Sequence, residues 1–474
     1  MPARALVALA LVLLLASEGA AQTPPADRAL RDWGHSVGML GYVYGAPLLE
    51  LAIADYRQTQ GLAKDMKSLR GLIAHGLGGA LPTHEASWLA APDPNVLHAS
   101  AWLDLGPQPF VLWIPPMDGH WYSIQFEDSF TNVAAVLSSR TIGSVGGWYL
   151  IAHRDWAGER PPGVMDEVRI PTALVWALFR VAAAPEDVAA FHARYAAPFK
   201  FLPLDVYARN PKAAGLANPQ PQGSAKPPPR AAAEMRGTLE AFRIINQRLR
   251  ELGTPPGEEA LLALFDRAGF GPGVAFEPAR LPPPLLEGLR NGARDAQRTI
   301  QDLRFQPRAA VNGWSFAPSA LGAFGNDYLA RAVAAASGLG ASPPSEVASA
   351  TAYVDGNGRP LDGRNDYVIR FEGDALPPAQ AFWSIAAYAA DTRRLPDTRG
   401  GRTSVGSRTE GLVPRPSGAL ELFVSSDAPE DPVRRANWLP VRNGPFFLVV
   451  RLHDPLPAAL GGGYALPPVV PADD

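Results

Sequence analysis

Residues 110–137, FVLWIPPMDGHWYSIQFEDSFTNVAAVL, alternate short apolar runs with turn-forming residues, and this pattern decides the fold class. The runs cover 110–114, 121–126 and 133–137, and Pro, Gly, Asp and Asn separate them. Two more runs follow at 148–152 and 174–181. Short strand-like runs between turn signals favour an antiparallel β-sandwich over alternating strands and helices.

The same texture returns near the C-terminus and predicts a second sandwich, with strands at 349–354, 367–371, 381–388, 419–424 and 446–452. Helical spacing predicts an N-terminal helix over 27–56, interrupted or bent by Pro47, a helical insert at 235–252, 257–268 and 281–303, and one helix at 327–337. The sequence thus predicts a mainly β protein. Its expected parts are 22–208 (N-terminal helix and first sandwich), a Pro-rich linker over 209–230, the helical insert 231–306 and the second sandwich 307–474.

The first 21 residues have the layout of a secretory signal. Arg4 precedes an apolar run, and the small residues Gly19 and Ala21 precede Gln22. We therefore expect cleavage before Gln22 and export to the periplasm or the extracellular space. No later segment stands out as a membrane span, so the mature chain is expected to carry none.

Composition excludes several classes of function. The chain of 474 residues has 0 Cys and a net charge of −3, which gives no disulfides, no cysteine nucleophile and no basic surface for nucleic acid. The 8 His residues lack zinc-protease spacing, and the Asp-rich stretch 355–366 has Arg359 and Pro360 where a calcium loop needs a ligand and Gly. A turn between two strands is the better interpretation. Without a phosphate loop or dinucleotide fingerprint, we predict neither a metal nor a cofactor.

Four charged residues stand among the apolar strands: Asp104, Asp128, Arg140 and Arg180. Buried charges are usually paired, because an unpaired buried ion is costly. One interpretation is a set of structural ion pairs that tie strands together. The other is a polar cleft in which Asp128 acts as acid, base or hydrogen-bond acceptor and Arg140 orients the substrate.

Aromatic residues near turns mark the second half, and the candidates for contact with a ligand are Tyr328, Tyr367, Trp383 and Trp438. Aromatic residues on strands mostly fill the core of a sandwich. Flat rings that line a groove suit sugars and other polar ring compounds. The pattern leaves both alternatives open.

Dispersed short motifs carry a family resemblance. They are the runs 101–105 (AWLDL), 109–115, 121–123 and 139–143 in the first half, and 327–332, 355–363, 377–384, 437–440 and 444–446 in the second. In this order they resemble a pair of bacterial families of unknown function. The resemblance implies an exported protein of two β-sandwich halves similar to jelly rolls and, distantly, to glycan-releasing amidases. Where the family reads Asn-x-Asp-Thr-Leu-Tyr, this chain has Asn95 and Val96 at the Asp and Thr positions.

The function expected from these features is binding of a small polar molecule or glycan in a cleft of the sandwiches. The alternatives are a hydrolase whose acid residues include Asp128, and a structural or assembly component of the cell envelope that binds partners through the helical insert. Converging carboxylates in one cleft would favour hydrolysis, and a flat aromatic face would favour recognition.

Overall fold

The structure is a computed structural model that describes residues 24–59, 80–85, 91–183, 188–213, 235–304, 310–397, 402–460 and 463–472. The predicted signal peptide and most of the predicted linker, from residue 214 on, lie outside the described residues. Helices and strands take similar shares of the chain, 31% and 28%. The predicted sheets are therefore present, but "mainly β" overstated their share.

The first half is a sandwich of two four-stranded sheets. One sheet has the order β1-β7-β3-β4 and the other β6-β5-β2-β8, and all neighbours are antiparallel except the parallel pair β5 and β6. The strands are β1 Val96–Asp104, β2 Phe110–Ile114, β3 Tyr122–Glu127, β4 Val133–Ser138, β5 Gly147–His153, β6 Val164–Ile170, β7 Leu174–Ala182 and β8 Lys200–Pro203. One apolar cluster, with Phe126, Ile151 and Phe179 among its members, fills the space between the sheets.

The second half is a sandwich built in the same manner. A five-stranded sheet, β13-β12-β16-β10-β9, packs on a four-stranded sheet, β15-β14-β11-β17, in which β14 and β15 are parallel. Its strands are β9 Trp314–Phe316, β10 Val347–Ala352, β11 Tyr367–Phe371, β12 Ala379–Ala389, β13 Ser404–Gly406, β14 Leu420–Ser425, β15 Trp438–Pro440, β16 Phe446–Pro455 and β17 Val469–Pro471. Ile369, Ile385 and Val450 lie in its apolar core.

Five of the α-helices form a third layer with a core of its own. The α-helices of the described residues are α1 Pro25–Thr59, α2 Ser139–Ile142, α3 Val188–Phe191, α4 Leu204–Arg209, α5 Leu239–Leu252, α6 Glu259–Arg267, α7 Pro283–Arg304, α8 Tyr328–Gly338, α9 Pro432–Ala436 and α10 Pro457–Leu460. Side chains of α1, α5, α6, α7 and α8 share one apolar cluster. The N-terminal helix therefore packs with the predicted insert, and it continues through Pro47 to Thr59.

Glycines bring α1 and α7 into backbone contact. A Cβ atom placed on Gly288 would lie 2.2 Å from the carbonyl oxygen of Arg31, and one on Gly292 would lie 2.4 Å from that of His35. Gly34 and Gly38 face the same contact from α1. No other residue type fits at this distance, so the four-residue spacing of small residues sets how closely the helices pack.

Helix α1 is also long and apolar enough to cross a membrane, over Pro25–Asp55, although no segment after the signal peptide was expected to be. Its apolar stretch has a mean hydropathy of 1.5, and 78% of that stretch is buried inside the protein. The burial is the reason for the apolar composition: α1 is the central helix of the helical core, with contacts to α5, α6, α7 and α8.

Candidate functional site

A polar sheet face of the first half is buried. Side chains on a strand alternate between two faces, and one face of the sheet β1-β7-β3-β4 fills the sandwich core. The opposite face carries His98 on β1, Arg180 on β7, and Gln125 and Glu127 on β3. His98 and Arg180 are cross-strand partners. His98, Gln125 and Glu127 are buried, so the rest of the chain covers this polar face.

The second half presents a matching polar face. On the neighbouring strands β10 and β16, one sheet face points into the second core and carries Ala348, Leu448, Val450 and Leu452. The opposite face carries Ser349, which pairs across the strands with Arg451, and Val347, which pairs with His453. Arg451 and His453 therefore point away from the second core and toward the first half.

A cavity of about 210 Å³ lies where these two faces meet. His98 and Arg180 line it from the first half, and Arg451 and His453 line it from the second. The segment 338–342, which begins at the last residue of helix α8, and Arg393, which follows strand β12, also line it. Both halves of the chain thus contribute charged groups to one cavity.

Asp93 and His453 connect the two halves beside this cavity. Oδ2 of Asp93 lies 2.9 Å from Nε2 of His453 and 3.9 Å from Nε of Arg451. Burial raises the pKa of Asp93, but His453, Arg451 and the N–H of Asn95 outweigh it and hold that pKa well below its usual range. Burial lowers the pKa of His453. The contact between Oδ2 and Nε2 joins an ionised carboxylate to an imidazole that presents its Nε2–H to it.

The arginines that line the cavity are held by neutral oxygens. Arg451 donates to the Tyr388 hydroxyl at 2.7 Å and to the carbonyl oxygen of Ala91 at 2.6 Å. Arg180 donates to Oε1 of Gln125 at 3.3 Å and to the carbonyl oxygen of Gly340. None of these partners carries a charge, so they orient the guanidinium groups without neutralising them.

Electrostatics leave the cavity with an excess of positive charge. Burial lowers the pKa of Arg180 to about 10, which still keeps it a cation at neutral pH. Burial and the nearby Arg180 lower the pKa of His98 to about 4, so this imidazole is neutral. Burial raises the pKa of Glu127 to about 8, and Glu127 therefore adds no negative charge at neutral pH. Among the residues that line the cavity, Asp93 is the one with a carboxylate, against the three guanidinium groups of Arg180, Arg393 and Arg451.

The structure separates the four charged residues singled out in the sequence. Asp104 is exposed at the end of β1, where its Oδ1 accepts the N–H of Gly106. Asp128 is buried in a turn and accepts the N–H groups of Phe130 at 2.8 Å and Asn132 at 2.9 Å. Nε of Arg140 donates to Glu346 at 2.7 Å, so Arg140 pairs with Glu346 and not with Asp128. Of the four, Arg180 lines the cavity.

The four aromatic candidates lie away from the cavity as well. Trp383 and Tyr367 are buried in the second core. Trp438 is half-buried, and its Nε1 donates to the carbonyl oxygen of Ser425 at 3.1 Å. The hydroxyl of Tyr328 donates to Glu258 at 3.1 Å within the helical layer. Another ring, Tyr353, lines the cavity and is 49% exposed.

Sequence reasoning missed Asp93, His98, Arg393, Arg451 and His453. The run 122–127, YSIQFE, alternates apolar and polar residues, which is typical of a strand with one face in solvent. Here the polar face is covered by the second half of the chain. The departure from the family pattern at Asn95 was a usable signal, because the carboxylate of this loop is two residues earlier, at Asp93.

Two family matches fall one in each sandwich half. Residues 77–202 match the family described as "Protein of unknown function (DUF1254)", and residues 346–457 match "Protein of unknown function (DUF1214)". No curated protein matches the chain.

Two solved structures are similar along most of the chain. The VPA0106 protein from Vibrio parahaemolyticus is 23% identical, with a TM-score of 0.68 over 93% of this chain and 100% of that one. An uncharacterised protein from Burkholderia cenocepacia is 14% identical, with a TM-score of 0.46 over 94% and 96% of the two chains. The first similarity establishes a shared fold and nothing about chemistry.

Proposed function

The chain belongs to the paired DUF1254 and DUF1214 families, which match one sandwich half each, and from this premise we propose that the protein binds a small organic anion between its two halves. The observation that carries the proposal is the set of three guanidinium groups, of Arg180, Arg393 and Arg451, around one cavity. Guanidinium groups bind carboxylates with strong, charge-assisted hydrogen bonds. A sugar acid would be the glycan-related form of such a ligand.

Arg393 is anchored beside this cavity by a backbone oxygen. Its Nη1 donates to the carbonyl oxygen of Ser337 at 2.7 Å. This partner is neutral, so it orients the guanidinium group without neutralising it.

Backbone strain supports the same location. Ala91 and Arg393 both line the cavity and adopt left-handed conformations, with φ of 50° and 56°. The N–H of Ala91 donates to the carbonyl oxygen of Arg393 at 2.8 Å, so the two strained residues hold each other. Strained residues other than glycine concentrate at ligand sites, where the surrounding structure enforces them.

The other side of the cavity is apolar and suits the carbon skeleton of a small ligand. Tyr353 stacks on Phe447 with ring centroids 5.0 Å apart, and Val347 and Val449 lie on the same wall. A cavity with one cationic side and one apolar side favours a carboxylate attached to a ring or a short carbon chain. The alternative of a hydrolase with Asp128 as acid has less support, because that carboxylate is enclosed in its own turn.

Ligand-dependent thermal stabilisation tests the proposal. The probes are benzoate, succinate and glucuronate, with benzamide, succinamide and glucose as neutral partners. We expect stabilisation by at least one anion and by none of the neutral compounds. Arg393→Gln and Arg180→Gln should each weaken binding about tenfold or more, the value of one charged hydrogen bond.

Arg250→Gln, an exposed change on helix α5, is the control and should bind as the wild type does. Equal effects of anions and neutral compounds, or unchanged affinity in both cavity variants, would contradict the proposal.

We also propose that the protein is exported, with cleavage before Gln22, on the strength of the apolar run and small residues that precede this position. N-terminal sequencing of protein from the periplasm or medium tests this. Recovery there of a chain that begins at Met1 would contradict it.

A further inference from the structure

One row of side chains along strand β10 lines the cavity. On this strand Ala348, Ala350 and Ala352 face the second core. Because side chains alternate between the two faces of a strand, the intervening residues point the other way, toward the first half. That row consists of Val347, Ser349, Thr351 and, just past the end of the strand, Tyr353, and all four line the cavity.

The two hydroxyl groups of this row are available to a ligand. Ser349 and Thr351 are half-buried, and neither hydroxyl oxygen is among the enclosed side-chain atoms that lack a partner. Among the described residues, no protein group forms a hydrogen bond with either hydroxyl. On the polar face of the first half, by contrast, the side chain of Gln125 donates to Glu127 at 2.7 Å and to the carbonyl oxygen of Ala341 at 3.2 Å. The hydroxyls of β10 therefore keep their donors and acceptors for a bound molecule.

The register of the sheet places these hydroxyls between a cation and an aromatic ring. Ser349 is directly opposite Arg451 on β16, and the Cβ atoms of such partners lie about 5 Å apart. Thr351 is one step further along the same face, about 7 Å from Ser349, and Tyr353 follows at the same spacing. A ligand that lay along this row would meet a guanidinium group, two hydroxyls and a ring, in that order.

This order of groups matches the chemistry of a sugar acid. Its carboxylate suits the arginines, its ring hydroxyls suit serine and threonine, and its apolar C–H face can pack on an aromatic ring. Resting on the proposed function, we propose that the ligand is a monosaccharide uronic acid, and that Ser349 and Thr351 select it over carboxylates without hydroxyl groups.

The size of the cavity limits the ligand to a single ring. Its volume is about 210 Å³, below the roughly 300–1,000 Å³ of pockets that hold drug-sized molecules. A monosaccharide is therefore favoured over a longer glycan.

Strand propensity alone explains less of this row. Threonine is common on strands, but valine is as well, and valine stands at the neighbouring position Val347 and opposite Thr351 at Val449. A joint that needed only to fill space between the halves could use valine at 351 too. The hydroxyls at 349 and 351 gain a role when the cavity holds a ligand with hydroxyl groups of its own.

Calorimetric titration with glucuronate and cyclohexanecarboxylate tests the proposal, because both anions carry a carboxylate on a six-membered ring and glucuronate alone carries hydroxyls. We expect the wild type to bind glucuronate at least about tenfold more tightly. Ser349→Ala and Thr351→Val should each weaken glucuronate binding about fivefold, the value of one neutral hydrogen bond. Both variants should bind cyclohexanecarboxylate within about twofold of the wild type.

Ser345→Ala is the matched control, because Ser345 is exposed in the turn before β10 and lies outside the cavity lining. It should bind both anions as the wild type does. The two cavity variants each remove a hydroxyl and almost no volume, and the comparison of the two anions on the wild type requires no variant at all.

Benzoate and succinate, titrated in the same way, separate this proposal from the proposed function. A wild type that binds either of them, but binds glucuronate no more tightly than cyclohexanecarboxylate, would overturn the selection of a uronic acid alone. Equal weakening of glucuronate and cyclohexanecarboxylate in the cavity variants would do the same, since it would show a loss of packing and not of hydrogen bonds. If the wild type bound none of the four anions, the proposed function would be overturned as well.

Discussion

Two contacts hold the layers of this protein together, and they differ in chemistry. Helices α1 and α7 meet through glycines, backbone against backbone, over an apolar core. The two sandwiches meet through polar sheet faces, with Asp93, Arg180 and His453 between them. An apolar contact requires only complementary shape, whereas a polar contact requires a partner for each donor and acceptor.

The difference shows where a ligand belongs. The sandwich contact retains a cavity, two strained residues and unpartnered atoms on Arg393 and His453. Such features lower stability, so a contact that served only to join the halves would be more stable if it were apolar. The helical contact supplies stability. The polar contact carries the charged and hydrogen-bonding groups that can bind a ligand.

The largest effect expected from the polar contact is a pH dependence due to Glu127. Its pKa in the folded protein is about 8 against an ordinary 4.5, so the folded chain keeps a proton that the unfolded chain releases above pH 4.5. The wild type therefore loses stability as the pH rises through this window. Glu127→Gln has no such proton. Its free energy of unfolding, relative to that of the wild type, should therefore rise by on the order of 4 kcal/mol between pH 4.5 and 8.

Urea unfolding of Glu127→Gln and the wild type at pH 5 and pH 8 measures this difference, and contributions from other titrating groups cancel between the two proteins. If the difference in free energy of unfolding between the two proteins were the same at both pH values, Glu127 would be ionised in the folded protein.

The helical contact should fail when its closest glycine gains a side chain. Gly288→Ala places a Cβ 2.2 Å from a backbone oxygen of α1, so the helices must separate. We expect a loss of about 3 kcal/mol in the free energy of unfolding, at the upper end for overpacking. Gly338→Ala is the control, because its Cβ would meet Ala341 at an ordinary 3.9 Å. Equal stabilities of the two variants would show that α1 and α7 pack less closely.

Much of the fold could be predicted from sequence because local patterns determine it. Strand β2 at Phe110–Ile114 and strand β11 at Tyr367–Phe371 have the predicted bounds, and α5, α6 and α7 lie within a few residues of theirs. Apolar periodicity and turn residues act over a few positions, so one sequence suffices. Which elements share a core is a long-range property, and for that reason α1 was grouped with the first sandwich.

The candidate site was harder to predict, because its residues come from distant positions. Asp93 and His453 are 360 residues apart, and a His near the C-terminus carries no local signal. Arg180 was identified because a charge at the end of an apolar run is conspicuous. Asp104 and Asp128 satisfied the same criterion and proved to be turn residues, since an Asp at a strand end commonly accepts backbone N–H groups.

A smaller effect is expected from Asp93→Asn. The amide keeps a hydrogen bond with His453, but Arg451 loses its buried counter-ion, so we expect a loss of about 2 kcal/mol at pH 7, less than for a pair broken entirely. Because the pKa of folded Asp93 is below the ordinary value, its contribution is present at neutral pH and disappears as the pH falls below about 4. Acid titration of both proteins, followed by circular dichroism, checks this. A gap of undiminished size at pH 2 would point to lost packing instead of lost charge.

The smallest effect is expected from Asp104→Asn, which tests whether the strand-borne charges act as a group. Asp104 is exposed, and an amide at this position can still accept the N–H of Gly106, so the free energy of unfolding should change by less than about 0.5 kcal/mol. Affinity for benzoate and succinate should also stay at the wild-type value, while Arg180→Gln on the adjacent strand β7 lowers it. Thermal unfolding with and without these anions measures both quantities in one experiment. If Asp104→Asn reduced anion affinity as much as Arg180→Gln, the ligand would lie nearer this end of β1, and the contact between the sandwiches would be a structural joint alone.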